Sequence, residues 1–135
     1  MLIRQINNAL EKRCNNQLKK IDLTFSQMSA LIELSNIPVK KLTFKELEKH
    51  MSLAQSTTAG LISRLEQKKL VVVSGDKNDK RIKYVEITAL GETFCNRAEQ
   101  DMEYMEAQLL EYLSAEEKTT LLSLLEKVNL KLKDL

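Results

Sequence analysis

The sequence predicts a mainly α-helical chain with one small β-hairpin, and three observations carry that reading. Breakers are scarce, with three Gly and one Pro in 135 residues, so helices can run long. Apolar residues recur at three- and four-residue spacing along most of the chain. The exception is the β-branched run Leu70-Val71-Val72-Val73, followed by a polar stretch and by the alternating segment Arg81 to Ile87, which reads as a hairpin with a long tip.

Taken in order, Leu2 to Lys20 places Leu2, Ile3, Ile6, Ala9, Leu10, Cys14 and Leu18 on one stripe, the mark of an amphipathic helix. Thr24 with Gln27 three residues on is a capping-box pattern opening a helix to about Ser35, which ends at Ile37-Pro38 because the residue before Pro avoids helical dihedrals. The apolar set of that helix is Phe25, Met28, Leu31, Ile32 and Leu34.

Thr43 with Glu46 repeats the capping box and opens a short helix to Lys49, and His50-Met51-Ser52-Leu53 turns into a second helix, Ala54 to Lys68. In the latter, Thr58, Leu61, Ile62 and Leu65 form the inward side, whereas Gln55, Ser56, Ala59, Gly60, Ser63 and Arg64 face outward. Two short helices joined by a tight turn, the second presenting small polar groups and an Arg, are suited to a DNA groove. The hairpin follows with Lys77, Lys80 and Arg81 crowding its tip, so it is read as a basic wing. Thr88 then caps a long helix to about Tyr112, and Ser114 opens the last one, with Glu116 and Glu117 in its first turn where acids favour the dipole. That helix carries Leu121, Leu122, Leu124, Leu125, Val128, Leu130 and Leu132. Its apolar surface exceeds what a solvent-facing terminal helix needs, which points to a core shared between two chains.

The net charge of +2 divides unevenly: from Lys40 to Ile87 eleven Lys or Arg face six acids, a net +5, and the remainder is −3. A basic middle segment in a chain whose remainder is net negative is a modest footprint for a polyanion. The two cysteines, Cys14 and Cys95, lie far apart without CxxC spacing, so no disulfide, metal site or cofactor is expected, and a reducing cytoplasm suits them. Neither a leader peptide nor a membrane span is expected, because Met1 to Leu10 lacks an apolar run and no stretch of about 18 apolar residues exists. Enzymatic chemistry finds no support, since there is no glycine-rich phosphate loop and no HExxH, and His50 is the sole histidine. As a lone histidine without Cys or Asp partners at ligand spacing, it reads as a packed or surface residue.

The order of fragments resembles the MarR family of dimeric winged helix-turn-helix transcription regulators over nearly the whole chain. The fragments are Leu23-Thr24-Phe25-Ser26-Gln27, Leu42-Thr43-Phe44-Lys45-Glu46-Leu47, Leu53-Ala54-Gln55-Ser56-Thr57-Thr58, Ile62-Ser63-Arg64-Leu65-Glu66-Gln67-Lys68-Lys69-Leu70, Asp76-Lys77-Asn78-Asp79-Lys80-Arg81 and Ile87-Thr88-Ala89-Leu90-Gly91. The resemblance implies one MarR-like domain over 1–135, with 1–20 and 112–135 as dimerisation helices and 42–88 as the winged DNA-binding region. It also implies a homodimer on a pseudo-palindromic operator, often a repressor released by a small aromatic or anionic effector. Two departures stand out. Asn78 occupies a wing-tip position where the family often has arginine, and Gly60 a recognition-helix position where larger side chains are common.

Candidate DNA-binding residues are Gln55, Ser56, Thr57, Gly60, Ser63 and Arg64 on the recognition helix and Lys77, Lys80 and Arg81 on the wing. Arg can reach guanine or phosphate, Gln can pair with adenine, and hydroxyls suit phosphate; at Gly60 contact is limited to close backbone approach. The resemblance gives Asp79 the role of bracing the wing through Arg81, a pair that a purely structural role would also explain. Lys40, Lys41, Lys45 and Lys49 are candidate backbone contacts or simply a solvated face. Phe25 and Met28 are candidate linings of an effector pocket or plain core. Cys14 is read as core packing, with redox sensing as the alternative, since some relatives sense oxidants through a first-helix cysteine. A protein-interaction module and a nonspecific architectural DNA binder stand as alternatives to the regulator.

Overall fold

The computed structural model describes residues 1–135, and the Ser and Thr caps read from the sequence set its helix starts. Thr24, Thr43 and Ser114 each accept the backbone amide three residues on, at 3.1 to 3.2 Å, while Gln27, Glu46 and Glu117 return the bond to the cap amide. Each box satisfies two amides that a helix start leaves without partners. The elements are α1 (Leu2–Lys20), α2 (Phe25–Ser35), β1 (Lys41–Thr43), α3 (Phe44–Met51), α4 (Gln55–Gln67), β2 (Val71–Gly75), β3 (Lys83–Ile87), α5 (Ala89–Leu109) and α6 (Ala115–Lys133).

Helix ends are made without glycine. Asp22, Ser52 and Lys69 all have positive φ, from 53° to 62°. After each, the next amide reaches back to close the last turn: Leu23 to Leu18 O, Leu53 to Glu48 O and Leu70 to Leu65 O, at 3.0 to 3.1 Å. These are Schellman closures on residues that carry a Cβ, a conformation glycine adopts more cheaply. The α3 closure falls at Ser52, so α3 runs two residues beyond Lys49, where the sequence places its end.

The sheet has the order β1-β3-β2, all antiparallel, with Leu42 opposite Val85 and Val73 opposite Val85 across the central strand. β1 is an addition to the expected hairpin. Val85 and Ile87 point into the core while Ile82 is exposed, so the inward alternation runs through 85 and 87 and excludes Ile82 and the half-buried Tyr84.

The chain divides into two compact units, 1–96 and 97–135. In the first, Leu31, Leu34, Leu47, Ile62, Leu65 and Val85 are fully buried and join α2, α3, α4 and the sheet in one core. Lys68, just past α4, reaches back to the α1–α2 turn, where its ammonium donates to Asp22 O and to Gln27 Oε1, the latter at 3.2 Å. The α1 helix contributes no buried residue; Cys14 on it is half-buried and Cys95 on α5 is buried. In the second unit no residue of 97–135 is buried, and α6 exposes Leu122, Leu124, Leu130 and Leu132 by more than half. No helix is long and apolar enough to cross a membrane.

Candidate nucleic-acid interface

The α4 helix is split lengthwise. Thr58, Leu61, Ile62 and Leu65 are buried, and Gln55, Ser56, Thr57, Ala59, Gly60, Ser63 and Arg64 are exposed. Thr58 is buried at no polar cost because its hydroxyl donates to Ala54 O at 3.0 Å. The helix starts at Ala54 without a side-chain cap, which leaves its first amides directed outward beside Gln55 and Ser56. Gly60 lies mid-helix with open space where a Cβ would stand. Its lack of a side chain therefore answers no packing need within the chain.

The wing tip, 76–82, is organised by two carboxylates. Asp76 Oδ2 accepts the amides of Asn78 and Asp79, both at 3.0 Å, and Asp76 Oδ1 accepts the Tyr84 hydroxyl at 3.0 Å. These bonds hold the Asp76 carboxyl below its usual range, the Asn78 amide contributing most, then the Tyr84 hydroxyl and the Asp79 amide. The hydrogen bond to Asp76 first, and then the Asp76 charge, raise the Tyr84 hydroxyl, which would have to ionise beside the carboxylate. Asp79 accepts the Arg81 amide at 2.9 Å and its Nε and Nη2 at 3.2 Å. The Arg81 side chain, first, and its amide keep the Asp79 carboxyl low. Arg81 itself is 89% exposed, so the fork engages Asp79 with one edge and leaves the rest to solvent. Lys77, Asn78 and Lys80 are exposed around it.

The lysines before α3 divide by role. Lys40 Nζ donates to Ser35 O at 2.8 Å and pairs with Glu92 Oε1 at 3.0 Å, so it ties the end of α2 to the start of α5. Lys41 Nζ sits 4.6 Å from the centre of the Tyr84 ring, a cation–π contact. Lys45 and Lys49 are exposed. His50 Nδ1 lies 3.1 Å from Glu33 Oε2 across α2 and α3, and no three His, Cys, Asp or Glu converge as a metal would require. Of the two candidate pocket linings, Phe25, first residue of α2, is 67% exposed, and Met28, one turn on, is 4% exposed and belongs to the core. The two are three residues apart and so lie on one side of α2, but the burial of that helix begins at Gln27 and leaves Phe25 and Ser26 in solvent.

The sequence reading missed Asp76 and Tyr84. The signal for Asp76 was present in Asp76-Lys77-Asn78-Asp79, an Asp two residues before Asn in a turn, where Asx side chains bind backbone amides. Tyr84 needed the hairpin register that sets it opposite Ser74.

Two helices in a tight turn, an exposed polar recognition face and a basic wing on a three-stranded sheet define a winged helix-turn-helix. The chain matches the family model described as MarR family over residues 21–82. Staphylococcus aureus MepR, a transcription regulator of the multidrug efflux pump MepA, superposes with a TM-score of 0.85 at 26% identity, covering 97% of this chain and 96% of that one. A MarR family protein of Bacillus stearothermophilus gives 0.82 at 28% identity over 98% and 91%. MepR in complex with DNA gives 0.73 at 26% identity over 97% and 95%. No curated protein matches by sequence. The chain thus matches the MarR family model over residues 21–82 and shares the winged helix-turn-helix fold of these structures.

Proposed function

We propose that the chain is a sequence-specific repressor that binds a pseudo-palindromic operator as a homodimer and leaves it when a small ligand binds. The observation that carries the DNA reading is the outer face of α4. Six of its side chains, from Gln55 to Arg64, face solvent on a helix whose opposite face is locked in the core, and the Arg81 wing stands on the same unit. Gln55, Ser56, Ser63 and Arg64 are the base- and phosphate-reading groups, and Lys77, Lys80 and Arg81 hold the backbone. That MepR forms a complex with DNA supports the assignment.

The dimer reading rests on residues 97–135, none of which is buried. A segment that leaves Leu122, Leu125, Val128, Leu130 and Leu132 in water gains almost nothing from folding alone and is stabilised by covering that face with a second copy. The α1 helix, with Leu2, Ile3 and Ile6 exposed, has the same need. Two copies would place two recognition helices for two half-sites.

Binding to duplex from upstream of its own gene, compared with scrambled duplex across a salt series, tests the reading. Sequence preference with a steep salt slope is expected. Salt-dependent binding without preference would make the protein an architectural binder, and no binding would leave a protein-interaction module. Sedimentation at micromolar concentration should give a dimer; a stable monomer would remove the two-half-site geometry. Release of the duplex by small aromatic or anionic compounds checks the ligand arm.

A further inference from the structure

The geometry points to Tyr84 as a positioning residue for DNA binding: through Asp76 it presets the wing tip so that Arg81 is presented to the duplex already ordered. The inference rests on the DNA-binding reading above for its functional half.

The tip from Asp76 to Ile82 holds little backbone structure of its own. Asp76 N bonds Ile82 O at 3.0 Å and Ile82 N bonds Asp79 O at 3.2 Å. The remaining order comes from carboxylates acting in series. Asp76 gathers the amides of Asn78 and Asp79 on one oxygen, which fixes the backbone that carries Asp79. Asp79 then grips Arg81 by its amide, Nε and Nη2. The first carboxylate is itself aimed by the Tyr84 hydroxyl on its other oxygen, at 3.0 Å, and this is the side-chain hydrogen bond that ties the tip to the sheet.

Tyr84 is a firm anchor because β3 is the central strand. Its backbone is paired with Ser74 on one side and Thr43 on the other, and Lys41 packs its ammonium over the ring at 4.6 Å. Lys41 lies on β1, so the anchor reaches from the strand before α3 to the tip. A cation held in its bound geometry before the encounter loses less freedom on binding, and the gain appears as affinity. An Arg fork benefits more than a free side chain because its plane is already oriented.

Tyr84→Phe removes the hydroxyl and keeps the ring, its packing and the Lys41 contact, so a double-mutant cycle with Arg81→Ala isolates the coupling. In the wild-type background Y84F should weaken operator binding by about tenfold, with an unchanged salt slope since every cation is retained. In the R81A background, measured at low salt to keep binding detectable, the same change should cost less than about twofold. Amide exchange in the free protein should accelerate at Asn78 and Asp79 in Y84F while the α4 amides stay protected. Equal losses in both backgrounds, or unchanged exchange at Asn78 and Asp79, would overturn the proposal. If the wild-type chain bound no duplex, the regulator reading would fall, and the exchange experiment would still decide whether Tyr84 orders the tip.

Discussion

A Cβ on Gly91 would stand 2.4 Å from Leu70 O and 2.7 Å from Ile87 Cγ1. Leu70 O is also the acceptor for the Thr88 amide at 3.0 Å, and Thr88 Oγ1 both donates to Lys69 O and accepts the Gly91 amide. The start of α5 is thus clamped onto the Schellman turn that ends α4, leaving no room for a side chain. Gly91→Ala should destabilise the chain by about 2–3 kcal/mol through overpacking against backbone, read from urea unfolding midpoints.

Gly60 is the opposite case, with nothing within 4 Å of its added Cβ. Gly60→Ala should raise stability by about 1 kcal/mol, the helix-interior difference between the two residues. The same methyl would hold the helix backbone away from a base edge, so operator affinity should fall as stability rises. A stabilised variant with full affinity would remove Gly60 from the interface.

Lys69 adopts φ 62° at the end of α4, a conformation in which a Cβ is strained. Replacing it by glycine should stabilise by about 1 kcal/mol, since its side chain is exposed. Thermal unfolding of Lys69→Gly decides this, and a loss of stability would show that unfolded-state freedom outweighs the relief.

What could be read from the chain and what could not divides along sequence distance. Helix starts were legible because Thr24, Thr43 and Ser114 each bond three residues on, and the two faces of α4 followed from a 3.6-residue period. The Asp79–Arg81 brace, two residues apart, was legible from the family pattern. Helix ends at Asp22, Ser52 and Lys69 gave no glycine signal. The three-residue strand β1 exists only because β3 pairs with it. Lys40 and Lys41 looked alike as neighbours, yet Glu92 claims one and the Tyr84 ring the other, and both arrangements depend on tertiary placement. Phe25 followed the apolar pattern of α2 but begins it, ahead of the first buried residue of that helix.

Because Lys40 is engaged with Ser35 O and Glu92 while Arg81 projects into solvent, their alanine variants should differ in kind. Arg81→Ala should weaken binding to every duplex and reduce the salt slope by roughly one for each phosphate that the guanidinium neutralises. Lys40→Ala should leave the slope unchanged and lower stability by about 1 kcal/mol at most, as a part-exposed pair with one backbone bond would. A slope that fell in K40A would place Lys40 among the phosphate contacts.

Wing order should depend on pH in a definite direction. Asp76 and Asp79 both lie below their ordinary value of 3.8, Asp76 through the Asn78 amide first and Asp79 through the Arg81 side chain first. A carboxyl whose folded value is depressed contributes its full stabilisation above the unfolded value and loses it as pH falls through the folded one. The neighbouring charges are Lys41, which favours the Asp76 anion, and Asp76 itself, which opposes that of Asp79. The amide protection of Asn78 and Asp79 should therefore hold unchanged on acidification from neutrality to the ordinary value of 3.8 and decay only below it. Carboxyl titration by nuclear magnetic resonance, with exchange at those two amides, follows both ends of the same bonds. Loss of protection well above 3.8 would mean that the tip is held by something other than these carboxylates.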